Sequence, residues 1–140
     1  MPIRLASIRS GIGENMEDRY LFKAKHIHVL PNNNHLDGSW VVGFLSGERY
    51  IANDSGEYLI DPSTICQCTG LKDKNGKLIW ENDIVKINNS KVNTVITFRD
   101  FEIICTIPNE KYYKHRLEYD TEYEVIGNIF DNPELLESEG

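Results

Sequence analysis

Two apolar faces meet across a two-residue gap in residues 91–107, and this pattern constrains the fold more than any other feature of the chain. Val92, Thr94, Ile96 and Phe98 fall on alternate positions, and so do Phe101, Ile103, Cys105 and Ile107. Alternation with period two puts each set on one side of a strand. With only Arg99-Asp100 between the runs, the pattern predicts a β-hairpin with a two-residue turn.

The same vocabulary recurs along the chain. Residues 83–87 (DIVKI) read as a strand ended by Asn88-Asn89-Ser90, and residues 123–130 (YEVIGNIF) as another, interrupted at Gly127 by a bulge or sharp bend. Upstream, residues 20–29, 40–45, 50–51 and 58–60 are β-prone pieces separated by Asn, Asp and Gly clusters. Asn75-Gly76 is the strongest short turn signal, and a type I′ turn is expected there, with both residues at positive φ. No helical period is sustained over three turns. Helix is confined to a proline-led turn after Asp61 and a short C-terminal helix or helical turn, where Asn132 can cap Pro133-Glu134-Leu135-Leu136. The expected fold is mainly β: a short-stranded meander leading into a compact SH3-like or otherwise barrel-like C-terminal half with one short C-terminal helix. The expected divisions are a disordered extension or start artefact at 1–15, an N-terminal β subdomain at 16–64 and a barrel-like subdomain at 65–140.

Composition narrows the setting. No apolar run approaches membrane-spanning length, and Ser7, Arg9 and Ser10 break up the apolar residues that a secretory signal would need. Cys66, Cys68 and Cys105 are odd in number and lack a disulfide-framework spacing, which suits free thiols in a reducing compartment. A cytoplasmic protein is expected. Residues 101–140 carry 10 acidic and 3 basic side chains, whereas residues 1–100 are balanced, so the net charge of −7 belongs to the C-terminal stretch. That sign repels phosphate backbones.

Two segments, CTGLKDKNGKLIWENDIVKI at 68–87 and EVIGNIFDNPELL at 124–136, resemble the paired motifs of the YopX family, found mainly in phages and prophages of low-GC Gram-positive bacteria. MEDRYLFKAK at 16–25, GSWVVGFL at 38–45 and YLIDPSTICQCTG at 58–70 resemble the N-terminal half of the same proteins, so the likeness covers roughly residues 16–136. Asn82 departs from the pattern at a position that family members commonly fill with glycine, and Cys66 at one usually small. The resemblance implies a mostly β fold with a barrel-like C-terminal half and a tendency to self-associate. It supplies no catalytic residues, and fold likeness alone names no activity. Thr69, Gly70, Leu71, Asp73, Asn75, Gly76, Asp83, Gly127, Asn128 and Pro133 carry the motifs, with structural roles expected before functional ones.

No nucleophile elbow, phosphate loop, dinucleotide fingerprint or metalloprotease motif is present. His26 with His28, and Cys66 with Cys68, are pairs two apart on strand faces, but neither has structural-zinc spacing, and buried thiols with surface imidazoles are the simpler outcome. Glu81 and Asp83 form a carboxylate pair for which turn bonding explains more than acid–base work. No catalytic, cofactor or metal residue is assigned. Lys72, Lys74 and Lys77 around the Asn75-Gly76 turn are the candidate phosphate contacts of a single-stranded nucleic-acid module, the alternative function. Tyr112, Tyr113, Tyr119 and Tyr123 are interface candidates, with core or strand-face packing the more ordinary outcome for each. The leading expectation is a non-enzymatic phage or prophage accessory protein that binds itself and a host or phage protein.

Overall fold

A computed structural model of the chain describes residue 18 and residues 20–28, 35–118 and 120–137. The expected N-terminal extension at 1–15 lies outside the described residues. The chain divides into two compact units, residues 1–68 and 69–140.

The first unit is an antiparallel meander. It comprises β1 (Phe22–His28), β2 (His35–Ser46), β3 (Tyr50–Asn53), β4 (Gly56–Leu59) and the beginning of β5 (Cys66–Lys72). The spatial order is β4-β3-β2-β1-β5, with β1 held between β2 and β5. Alternation sends Ala24, Ile51 and Ile60 inward, where they are fully buried and packed by Phe22, Val41 and Ile65. At Gly43, β2 and β3 approach so closely that a Cβ would lie 2.3 Å from the Ala52 carbonyl oxygen. The expected turn after Asp61 is a 3-10 turn over Pro62–Thr64, with Asp61 Oδ1 accepting from Ser63 N–H at 3.0 Å.

In the second unit, the end of β5 pairs with β6 (Leu78–Trp80). A five-stranded antiparallel sheet follows in the order β10-β9-β8-β7-β11. Its members are β7 (Asp83–Ile87), β8 (Thr94–Arg99), β9 (Glu102–Thr106), β10 (His115–Arg116) and β11 (Tyr123–Asn128). The buried cluster is Ile79, Val85, Ile87, Ile96, Cys105 and Tyr123, with Phe98, Ile103, Leu117 and Val125 packed against it. The expected interruption at Gly127 is a break in register between Val125 and Gly127 where β11 pairs with β7.

Three local expectations are corrected. The hairpin turn is Asp100-Phe101, not Arg99-Asp100: Arg99 pairs with Glu102, Ile96 with Cys105 and Phe98 with Ile103. Both registers keep the same residues on the core face, so alternation could not choose between them. Backbone chemistry does choose, since both central residues sit at positive φ (49° and 65°), where Asp is better tolerated than Arg. Phe101 takes the other strained position, a cost on the order of 1–3 kcal/mol. At Asn75-Gly76 only Gly76 has positive φ, so the turn is not type I′. Asp73 and Lys77 instead close a three-residue loop, with Gly76 N–H donating to the Asp73 carbonyl at 3.0 Å. At the C-terminus the element is a 3-10 turn, Pro133–Leu136, and Asn132 makes no side-chain cap to it. Its Oδ1 accepts from Asn128 N–H at 3.2 Å instead.

Candidate interaction surfaces

The motif residues concentrate on turns, where their side chains meet backbone. Asp73, 7% exposed, is the clearest case: Oδ1 accepts from Asn75 N–H (2.8 Å) and Lys77 N–H (2.9 Å), and Oδ2 from Val125 N–H (2.9 Å). Beside it Lys74 N–H donates to the Tyr123 carbonyl at 2.9 Å, so the loop after β5 is tied to β11. Thr69 Oγ1 donates to the Ile79 carbonyl and accepts from Leu71 N–H, across the positive φ of Gly70. Asp83 Oδ2 accepts from buried Trp80 N–H at 2.8 Å. Asn128 Oδ1 accepts from Phe130 and Asp131 N–H, both at 2.9 Å, and Pro133 opens the last 3-10 turn. Carboxylates and amides bonded this way satisfy turn donors that would otherwise lack partners.

The lysines of the same loop are not gathered into one cradle. Lys74 Nζ lies 3.7 Å from Glu124, Lys77 faces solvent, and Lys72 is half-buried on β5. The exposed part of the loop, residues 74–77, contains no aromatic residue, whereas single-stranded nucleic-acid sites combine cations with stacking platforms. Among the described residues no group of three or more His, Cys, Asp or Glu is placed to hold a metal ion. Cys66, Cys68 and Cys105 are buried and outside any disulfide. Burial pushes the Cys105 thiol up to about 11, against a smaller opposing hydrogen bond from Thr94. His26 stacks edge-on against Tyr58 with ring centroids 5.5 Å apart, and the His28 side chain lies outside the described residues. No helix among the described residues is long and apolar enough to cross a membrane.

Of the tyrosines singled out from sequence, Tyr123 is core. Burial raises its phenol above the ordinary value, and its oxygen accepts from Glu118 N–H at 2.9 Å and lies 3.2 Å from His115 Nε2. Tyr112 faces solvent, Tyr113 borders a surface recess described below, and Tyr119 lies outside the described residues. On β9, Glu102 is flanked by Lys114 just before β10 (3.3 Å) and by Arg116 on β10 (2.9 Å), and these hold its carboxyl below the usual range.

Sequence reading missed the apolar surface of the first unit. Residues 40–45 were legible as a strand, but the two faces of that strand were not separated. Trp40, Val42 and Phe44 alternate onto one face of β2. Tyr50 joins them on β3 through its pairing with Ser46. Val42, Phe44 and Tyr50 are each about 40% exposed, and the Nζ atoms of Lys23 and Lys25 both lie 4.6 Å from the Trp40 ring centroid. Such cation–π contacts rigidify one end of the stripe. The second missed feature is Phe101, fully exposed at the hairpin tip.

Short antiparallel strands in two units, with turns secured by side-chain bonds to backbone, define the class as a mainly β protein. Within it the chain belongs to the YopX family: the family model described as YopX protein matches residues 22–137. No curated protein matches the chain.

Proposed function

We propose that this is a phage or prophage accessory protein of the host cytoplasm that acts without catalysis, by binding itself and a host or phage protein, with a barrel-like C-terminal half. The observation that carries this reading is the solvent-facing stripe Val42, Phe44 and Tyr50 beside Trp40. Contiguous apolar side chains on an exposed sheet face mark interaction sites, and aromatic residues supply most of the energy in such contacts. Support for a barrel-like second half comes from the bonds of Lys74 and Val125, which tie the loop after β5 to β11. The single-stranded nucleic-acid alternative has less behind it, because Lys74 is paired with Glu124 and no aromatic residue accompanies it on the loop.

The experiment is a paired measurement on wild type and a Phe44→Ser, Tyr50→Ser variant. Light scattering after size exclusion reads self-association, and affinity capture from host lysate reads a partner. The expected result is a specific protein retained by wild type and lost by the variant at unchanged melting temperature. A wild type that is monomeric at every concentration and retains nothing overturns the reading.

A further inference from the structure

The β8–β9 hairpin combines a recess, positive charge and exposed aromatic rings on one side. Arg99 and Glu102 are partners across the hairpin, so they share a face, and the Asp100-Phe101 turn lies directly beyond them. Lys114 and Arg116 lie 3.3 and 2.9 Å from Glu102, which brings the end of the loop between β9 and β10 to that same face. A recess of about 420 Å³ opens between this loop and Arg99, a size that takes a small ligand or one unit of a polymer. Its lining includes Arg99, Pro108, Glu110, Lys111 and Tyr113. Two further rings stand in water close by in the chain. Phe101 is fully exposed and held at φ 65°, where a bulky residue is strained. Tyr112 is 89% exposed, with Lys111 Nζ 5.5 Å from its ring centroid. Strain retained under an aromatic ring that faces water points to a role outside the fold.

We propose that this surface binds single-stranded nucleic acid, with one nucleotide in the recess and its neighbours stacked on Phe101 and Tyr112. Sites for single strands combine cations that follow the backbone with aromatic faces that take the bases. Here Tyr113 and Pro108 offer a base its walls, and Arg99 and Lys111 meet the phosphates. The Glu110 carboxylate repels phosphate but suits the edge of a base, where it accepts from the amino group of cytosine. The surface also supplies the rings that the loop around Asn75-Gly76 lacks. Net charge does not oppose it: residues 99–116 carry four basic and three acidic side chains, whereas residues 117–140 carry eight acidic and no basic ones. Of those three acids, Glu102 is already engaged by Lys114 and Arg116. An anionic membrane surface fits less well, because it would use Phe101 and the cations but leave the Glu110 carboxylate facing charge of its own sign. The proposal goes beyond the protein-binding reading, which rests on the stripe of the first unit, and different residues test the two.

The test is fluorescence anisotropy of labelled oligodeoxycytidine and oligothymidine, each of about twelve nucleotides, titrated with the full-length chain. At about 50 mM salt, where phosphate contacts are strong, wild type is expected to bind both and to hold the cytidine strand at least about threefold tighter. Glu110→Ala should erase that preference. Phe101→Gly suits the positive φ of the turn, so it should melt at or above the wild-type temperature while binding at least about fivefold more weakly. Lys111→Ala should keep the wild-type melting temperature and reduce the slope of log affinity against log salt by about 0.7. Absence of binding to either strand at that salt overturns the proposal. Equal affinity of wild type for the two strands removes the recess as the base site and overturns it too. Binding that is unchanged in both Phe101→Gly and Lys111→Ala places the strand on another surface. Phe101-dependent binding to phosphatidylserine vesicles, with no binding to either strand, replaces the nucleic-acid assignment with a membrane contact.

Discussion

Val125 donates its backbone N–H to the Asp73 carboxylate at 2.9 Å, joining residues 52 positions apart. With Asn75 and Lys77 bonded to the other oxygen, one buried side chain serves three donors. Asp73→Ala leaves all three without their acceptor and is expected to cost roughly 2–4 kcal/mol. Asp73→Asn retains one acceptor oxygen and should cost less. Urea denaturation orders the two variants, and an alanine variant within about 0.5 kcal/mol of wild type would mean that the loop's link to β11 contributes little.

Gly127 faces Asn132 so closely that an added Cβ would lie 2.5 Å from Oδ1, the atom that accepts from Asn128 N–H. Gly127→Ala is therefore expected to displace Asn132 and cost about 1–3 kcal/mol, while Asn132→Ala alone costs about 1 kcal/mol. Because both lesions break the same contact, the double variant should fall short of the sum of the singles. Strict additivity in the thermodynamic cycle would show that the two residues act independently.

Asn82 stands at φ 72°, its N–H donating to the Ile96 carbonyl and its carbonyl accepting from Ile129 N–H. Asn82→Gly is expected to be neutral or slightly stabilising, and Asn82→Ala to destabilise by about 1 kcal/mol. Equal thermal midpoints for the two variants would remove the left-handed backbone as the explanation. The sequence marks Asn82 only as a departure from the family pattern; the left-handed backbone, which asparagine adopts more easily than most residues, emerges from the structure.

Local signals account for what could be read in advance. Alternation located β8 and β9, β propensity between turn signals located β1, part of β2, β3, β4, β7 and β11, Gly127 marked the irregularity in β11, and Asp61-Pro62 marked a 3-10 turn, whereas β5, β6 and β10 were not read as strands. Where two outcomes share a parity, alternation has no resolving power, and so the β8–β9 turn was placed one residue early. Contacts distant in sequence were equally hidden: nothing near Asp73 announces Val125, and nothing near Asn132 announces that its side chain turns back to Asn128. The stripe of Trp40, Val42 and Phe44 was accessible to the same alternation argument, but strand WVVGFL is apolar on both faces. Only its pairing with β1 and β3 shows which face is buried.

Cys105 makes stability depend on alkaline pH. Its folded pKa is raised by burial from an ordinary 9.0 to about 11, so the thiol stays neutral in the folded chain while the unfolded chain ionises first. The associated stability is complete below about pH 9 and is lost as pH rises through about 11, for a total on the order of 2–3 kcal/mol. Tyr123, also raised by burial, adds a further loss at the upper end. Urea midpoints taken from pH 8 to 11 should fall more steeply for wild type than for Cys105→Ala, whose lower baseline reflects a cavity and not ionisation. Parallel slopes would show that the thiol is not the group responsible.

The last expectation concerns β11, which pairs along β7 from Tyr123↔Ile87 to Asn128↔Asp83 and contributes Tyr123 to the buried cluster of the second unit. Ending the chain at residue 122 removes that pairing, leaves Asp73 Oδ2 without its donor, and opens the edge of a strand whose Ile84, Val85 and Ile87 are buried. An unpaired apolar edge of that kind recruits other chains. The 1–122 fragment should therefore aggregate or remain unfolded, whereas ending the chain at residue 136 keeps β11, the Asn128–Asn132 turn and most of the last 3-10 turn and should preserve cooperative unfolding. Light scattering and a thermal melt on both fragments decide the matter. A 1–122 fragment that is monomeric and unfolds cooperatively would make β11 an accessory to a sheet that is complete without it, and the loop held by Asp73 would then need another reason for its three bonds.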